Sequence, residues 1–146
     1  MSGVRKPDAV LLDTCAAIWL ANGDAMAQSA LAAIVHAGLH NGVFVSPISA
    51  WEVGLLSRPR ASRPGVRFLP DPKTWFSRLL AKAGIKEASF TPAIATDASF
   101  LPGPLHADPA DRLIIATARH LGIPIVTRDA RLREYADAGN VRVIDC

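Results

Sequence analysis

The sequence predicts an α/β domain built on a mostly parallel sheet of four or five strands. Ala9-Val10-Leu11-Leu12 is a continuous apolar run, the pattern of a strand covered on both faces. Similar short runs recur at Val43-Phe44-Val45, Ile123-Pro124-Ile125-Val126 and Val141-Arg142-Val143-Ile144. Segments of helical spacing separate them, and strands alternating with helices are what a parallel sheet with crossover helices requires. The 146 residues suit one domain, residues 1–146, with one core. Half of them are hydrophobic, which predicts a packed fold and excludes disorder. No apolar run reaches membrane-spanning length and the N-terminus lacks a signal-peptide layout, so a cytoplasmic protein is expected. The formal net charge of +3, with a pI near 9.2, is compatible with a nucleic-acid partner without establishing one. Cys15 and Cys146 have no metal-type spacing and are expected as free thiols.

Residues 1–7 form a polar lead-in. The first strand ends at Asp13, and Asp13-Thr14 opens a short helix over residues 16–21. A carboxylate there lies where open α/β sheets bind their ligands, although a helix N-cap would use the same residue. Residues 25–39 have helical spacing through Leu31, Ile34, Val35 and Leu39. His36 and His40 stand four apart and could share a metal ion, but no third ligand is near them in sequence, and histidines at a helix end are usually solvated. Asn41-Gly42 closes this helix before the second strand. Ser46-Pro47 is a cap followed by a first-turn proline, opening a helix over residues 48–56. Ile48, Trp51 and Leu55 define its apolar stripe, and Glu52 falls on the same stripe. A carboxylate on a buried face is costly unless an arginine or a cation meets it. Residues 58–72 are irregular, with Arg58, Arg60, Arg63 and Arg67 among prolines, either a solvated basic loop or a grip on phosphates.

A helix over residues 73–83 presents Trp75, Phe76, Leu79 and Leu80 and ends at Gly84; residues 85–90 contain a short strand. Thr91-Pro92 caps a helix over residues 93–100, which Leu101-Pro102-Gly103-Pro104 breaks. In the stretch from His106 to Ala118, Asp108 reads as N-cap, Pro109 as the first helical residue and Asp111 as the third, ahead of the apolar Leu113, Ile114, Ile115 and Ala116. That helix ends at Gly122. The next strand carries Thr127-Arg128-Asp129 at its C-terminal end, followed by a short helix over residues 130–136, a turn at Gly139-Asn140 and the last strand.

Parallel strands present their C-terminal ends, and helices their N-termini, to one edge of the sheet. Asp13, Glu52, Asp111 and Asp129 are therefore expected to converge. Such anions repel in a low-dielectric pocket, and a hard divalent cation with oxygen preference, Mg²⁺ or Mn²⁺, resolves the conflict. A water activated beside that ion can attack phosphorus, so metal-assisted phosphodiester hydrolysis needs no histidine or cysteine nucleophile. A haloacid-dehalogenase-type phosphatase also begins strand–Asp, but it needs a second aspartate where this chain has Cys15; neither a Walker loop nor a glycine fingerprint is present.

Four segments carry a resemblance: Leu11-Leu12-Asp13-Thr14, Ser46-Pro47-Ile48-Ser49-Ala50-Trp51-Glu52-Val53, Asp108-Pro109-Ala110-Asp111-Arg112-Leu113-Ile114 and Thr127-Arg128-Asp129. In order and spacing they are similar to the motifs of PIN-domain ribonucleases, in particular the VapC-type toxins of toxin–antitoxin pairs. The resemblance implies a three-layer α/β/α fold and a Mg²⁺- or Mn²⁺-dependent endoribonuclease that arrests translation by cutting RNA. It further implies a cognate VapB-like antitoxin and a homodimer. By motif position Asp13, Glu52, Asp111 and Asp129 are the acidic, metal-holding and catalytic set. Thr127 would support it through its hydroxyl, while Asp108 caps the helix. The alternative is a catalytically silent protein of the same fold that binds antitoxin or RNA.

Overall fold

The computed structural model describes residues 5–105 and 108–146; Met1–Val4 of the lead-in, and His106 and Ala107, lie outside the described residues. Five strands, β1 (Ala9–Leu12), β2 (Gly42–Val45), β3 (Ile85–Glu87), β4 (Ile125–Thr127) and β5 (Val143–Asp145), form one sheet in the order β3-β2-β1-β4-β5. Every pairing is parallel. The helices among the described residues are α1 (Thr14–Asn22), α2 (Gln28–Gly38), α3 (Pro47–Ser57), α4 (Pro72–Leu80), α5 (Pro92–Ser99), α6 (Pro109–Leu121) and α7 (Ala130–Asp137). None is long and apolar enough to cross a membrane.

The unbroken apolar run of β1 follows from its central position. Val10 and Leu12 pack on one face against residues of α1, α2 and α4, including Ala16, Ile34 and Leu79. Leu11 packs on the opposite face against Ile114, Ile115 and Ala118 of α6 and Leu132 of α7. Three layers result, with α5 set outside α6 through Ile94, Ala98 and Ala116. The chain passes from β1 to β2 to β3 in one direction, then returns to place β4 on the other side of β1. The crevice at the C-terminal ends of β1 and β4 is thus the topological switch point, where ligands of open α/β sheets bind.

Several local expectations change. The helical spacing of residues 25–39 runs through Leu31, Ile34, Val35 and Leu39; of these Ile34 is buried, beside Ala30, Ala33 and Ala37 of α2, while Leu31, Val35 and Leu39 are exposed. Small residues let this helix lie close to the sheet: a Cβ on Gly84, whose φ is +80°, would sit 2.9 Å from Gly38 Cα. In α3 Trp51 is 54% exposed, and the inward residues are Ser49 and Val53, so the stripe is rotated from Ile48-Trp51-Leu55. Helix α4 starts one residue early because Asp71 caps it, its side chain accepting from Thr74 N–H at 2.8 Å. The third strand is only Ile85–Glu87. Residues 58–72 hold no named strand or helix before Pro72, apart from an isolated bridge between Arg60 and Arg63. They are anchored by Phe68, buried edge-on against Trp75 with ring centroids 4.9 Å apart.

Candidate functional site

At the C-terminal edge of the sheet Asp13, Glu52, Asp111 and Asp129 line one cleft of about 430 Å³, together with Thr14, Cys15, Trp19, Asp108, Arg128 and Arg131. The four predicted acids come from four different elements, and the fold brings all of them together.

Asp13 follows β1 and is buried, with 8% of its surface exposed. It caps α1: Oδ1 accepts from Ala16 N–H at 2.8 Å. Its other oxygen, Oδ2, accepts from the Thr127 hydroxyl at 2.5 Å. Thr127 ends β4, is fully buried, and accepts in turn from Asp129 N–H at 3.0 Å. One hydroxyl therefore ties the ends of the two strands that flank the switch point. Burial pushes the Asp13 carboxyl above the ordinary aspartate range; the Thr127 and Ala16 bonds oppose that shift and the Asp111 and Asp129 charges add to it.

Glu52 is half-buried on α3. Its Oε1 accepts a very short bond from the Thr14 hydroxyl, which also contacts Ser49 Oγ at 2.9 Å. Burial raises its pKa, the Thr14 bond lowers it, and Asp111, Asp108 and Asp13 raise it further. Asp129 caps α7, Oδ1 accepting from Arg131 N–H at 2.8 Å. The Arg131 guanidinium reaches Asp129 Oδ2 at 3.1 Å and Asp111 Oδ2 at 3.5 Å, and these bonds and charges raise its own pKa. Asp108, exposed at the mouth, caps α6 by accepting from Asp111 N–H at 3.0 Å. Arg128 stacks on Trp19, 3.9 Å from its centroid, and donates to the Cys146 carbonyl at 2.8 Å, closing one wall of the cleft. Cys15 opens onto the cleft, its thiol pushed up to about 11 by burial and by the charges of Asp13, Glu52, Asp111 and Asp129.

Thr127 was expected as a hydroxyl support; Thr14, Ser49 and Arg131 were not. Thr14 and Ser49 are 35 residues apart and nothing local pairs them. Arg131 did carry a local signal, since a basic residue two places after a helix-capping aspartate can fold back onto it.

The donor set is all oxygen, suited to a hard cation. Two of the carboxylates are desolvated and crowded by like charges, a cost that a divalent ion would offset. The residues present therefore fit a divalent metal.

The PIN domain family profile matches residues 10–138. Ribonuclease VapC22 of Mycobacterium tuberculosis is 34% identical over 127 residues, covering 86% of this chain and 91% of the relative. Among solved structures, VapBC2 from Rickettsia felis bound to a promoter DNA fragment superposes with a TM-score of 0.65 at 14% identity, over 94% of this chain and 98% of that one. Mycobacterium tuberculosis VapC20, a sarcin–ricin-loop-cleaving toxin, gives a TM-score of 0.58 at 21% identity, over 92% and 98%. With the profile spanning most of the sequence and a ribonuclease relative above 30% identity, this chain belongs to the PIN domain family.

Proposed function

We propose that this single-domain chain is a divalent-cation-dependent endoribonuclease, the toxin of a toxin–antitoxin pair, working in the cytoplasm as a homodimer under a VapB-like antitoxin. The observation that carries the reading is the convergence of Asp13, Glu52, Asp111 and Asp129 into one cleft at the switch point. The ribonuclease relative and the antitoxin-bound structural neighbours support the substrate and the partner.

In this reading Asp13, Glu52, Asp111 and Asp129 hold Mg²⁺ or Mn²⁺. When bound, the ion supplies Lewis acidity, neutralising charge on a phosphate and making a nearby water easier to deprotonate. The chain's own residues do the rest. Thr127 and the Ala16 amide fix both oxygens of Asp13, and Thr14 fixes Glu52, so neither carboxylate reorganises when RNA arrives. Arg131, half in solvent at the mouth, is placed to exchange a carboxylate for an RNA phosphate. The exposed Arg58, Arg60, Arg63 and Arg67 offer further phosphate contacts beyond α3.

The test is cleavage of total RNA by antitoxin-free protein with Mg²⁺, with Mn²⁺ and with chelator. Cleavage is expected with either ion, none with chelator, and a loss of at least about a hundredfold in Asp13→Asn, Glu52→Gln or Asp111→Asn. Cutting that persists in chelator would remove the metal mechanism. No cutting of any RNA would favour a silent binding partner instead.

A further inference from the structure

We propose that Asp8, His36 and His40 form a second cation site, of imidazole–carboxylate chemistry, that takes Zn²⁺ or a similar borderline metal at the end of the sheet opposite the acidic cleft. One potential ligand atom from each of the three residues lies within 4.8 Å of the others. Sequence alone offers only the two histidines. The third ligand is 28 residues upstream and arrives because β1 lies alongside α2, which brings Asp8 Oδ1 to 2.8 Å from His36 Nε2. The Asp8 carbonyl accepts from Asn41 N–H at 2.8 Å, which binds the turn after α2 to the start of β1.

One feature goes beyond proximity. His40 Nδ1 lies 2.7 Å from the His36 carbonyl, which can only accept, so Nδ1 carries the proton and the ring's lone pair is on Nε2. Metal-binding histidines are oriented this way, the second nitrogen donating to a carbonyl or carboxylate. The two imidazoles stack, with centroids 4.0 Å apart and planes at 22°, so the ring of the exposed His40 must turn about its Nδ1 bond for both lone pairs to meet at one ion. Two imidazoles and one carboxylate, with a position left to water, make a familiar open zinc ligand set. Mg²⁺, by contrast, prefers oxygen and would favour the other cleft.

The two sites are independent. Asp8 precedes β1 and Asp13 follows it, and five residues of extended chain span roughly 16 Å. An ion at Asp8, His36 and His40 would pin the entry of the central strand to the end of α2 without touching the acidic cleft. Arg5 also acts on Asp8, so the ion must compete with that charge.

The experiment uses the full chain in excess Mg²⁺, which loads the acidic cleft, with Zn²⁺ added as titrant and Co²⁺ as spectroscopic probe. One equivalent of Zn²⁺ is expected to bind wild type and Glu52→Gln alike. At a hundredfold excess over Kd it should raise Tm by about 5 °C or more. Co²⁺ should show the d–d absorption of a site with nitrogen ligands. His40→Gln, at an exposed position, and Asp8→Asn should each weaken Zn²⁺ binding at least about tenfold. Both should keep the wild-type circular dichroism and Mg²⁺-dependent RNA cleavage. Zn²⁺ binding lost in Glu52→Gln but intact in His40→Gln would place the ion in the acidic cleft and overturn the proposal. Absence of any Zn²⁺ binding would reduce the three residues to a hydrogen-bonded clasp.

Discussion

Thr127→Val is the substitution that tests whether the hydroxyl between β1 and β4 organises the acidic cleft. Valine has the shape of threonine, so packing in this fully buried position is kept and only the O–H is lost. Two bonds go with it: the 2.5 Å bond to Asp13 Oδ2 and the 3.0 Å bond from Asp129 N–H. A hydrogen bond to a charged group contributes about 1.5–3 kcal/mol. Water at the cleft can recover part of the Asp129 amide bond, so the Asp13 bond dominates. A chain of 146 residues has an unfolding entropy near 0.3 kcal/mol/K, so the expected fall in Tm is about 5–10 °C at neutral pH in chelator. Thr127→Ser, which keeps the hydroxyl, should lose much less.

The same bond fixes the sign of the pH effect. The Thr127 hydroxyl lowers the Asp13 pKa, opposing burial, which raises it. Its charge-assisted contribution is present while Asp13 is ionised and lost as pH falls through the folded pKa. The deficit of Thr127→Val should therefore shrink toward acid. In the valine variant Asp13 holds its proton to higher pH, so the acid limb of RNA cleavage should move to higher pH. Melts from pH 4.5 to 8 and a pH–rate profile measure both effects. A valine variant that melts with wild type at neutral pH, or a deficit that grows toward acid, would refute the reasoning.

Glu52→Gln keeps an oxygen for Thr14 but removes a charge that burial and its acidic neighbours disfavour; its Tm in chelator should equal or exceed that of wild type while cleavage is lost. Because the folded pKa values of Asp13 and Glu52 lie above 3.8 and 4.5, their ionisation weighs against the metal-free fold. The stability they contribute is full below those ordinary values and lost as pH rises through the folded ones, so chelated wild type should stabilise on mild acidification more than Glu52→Gln does, by thermal melts. Cys15, with a pKa near 11, should carry about a hundredfold less thiolate at pH 8 than a thiol of pKa 9 and alkylate about tenfold more slowly, the higher nucleophilicity of its thiolate offsetting the rest, and Mg²⁺ should speed it by screening the carboxylates, read by mass spectrometry with iodoacetamide. Gly65→Ala would place a Cβ 2.0 Å from the Ser57 carbonyl, forcing residues 58–72 off the end of α3; a Tm loss of several degrees is expected, with cleavage reduced if Arg58, Arg60, Arg63 and Arg67 bind RNA.

The elements legible in the sequence were those whose pattern is local. Val10-Leu11-Leu12 reads as a strand covered on both faces because it is one, and the caps Ser46, Thr91 and Asp108 announce their helices. Misreadings arose where the apolar periodicity described surface. Of Leu31, Ile34, Val35 and Leu39, Ile34 faces the core and the other three are exposed, while the rest of the inner face of α2 is alanine, which periodicity undervalues. Trp51 misled in the same way. Thr14 with Glu52, and Asp8 with His36, were out of reach because their partners are tens of residues away and meet only through the strand order.

The acids at the sheet edge show why capping and chemistry need not compete for a residue. An N-cap aspartate uses one oxygen on the backbone and has a second to spare. Asp13 caps α1 with Oδ1 and turns Oδ2 to Thr127; Asp129 caps α7 with Oδ1 and turns Oδ2 to Arg131. The cap removes rotational freedom from the carboxylate, so its second oxygen is positioned at no additional entropic cost. Helix N-termini also favour the negative charge that the cluster otherwise penalises. A parallel sheet delivers those N-termini to the same edge as the strand ends. The same rule accounts for Glu52, the one acid of the four within a helix rather than near its start: with no cap to hold it, it depends on the Thr14 hydroxyl. Thr14→Val should therefore disturb Glu52 while sparing the cap of α1, which runs through Asp13 and Ala16 N–H.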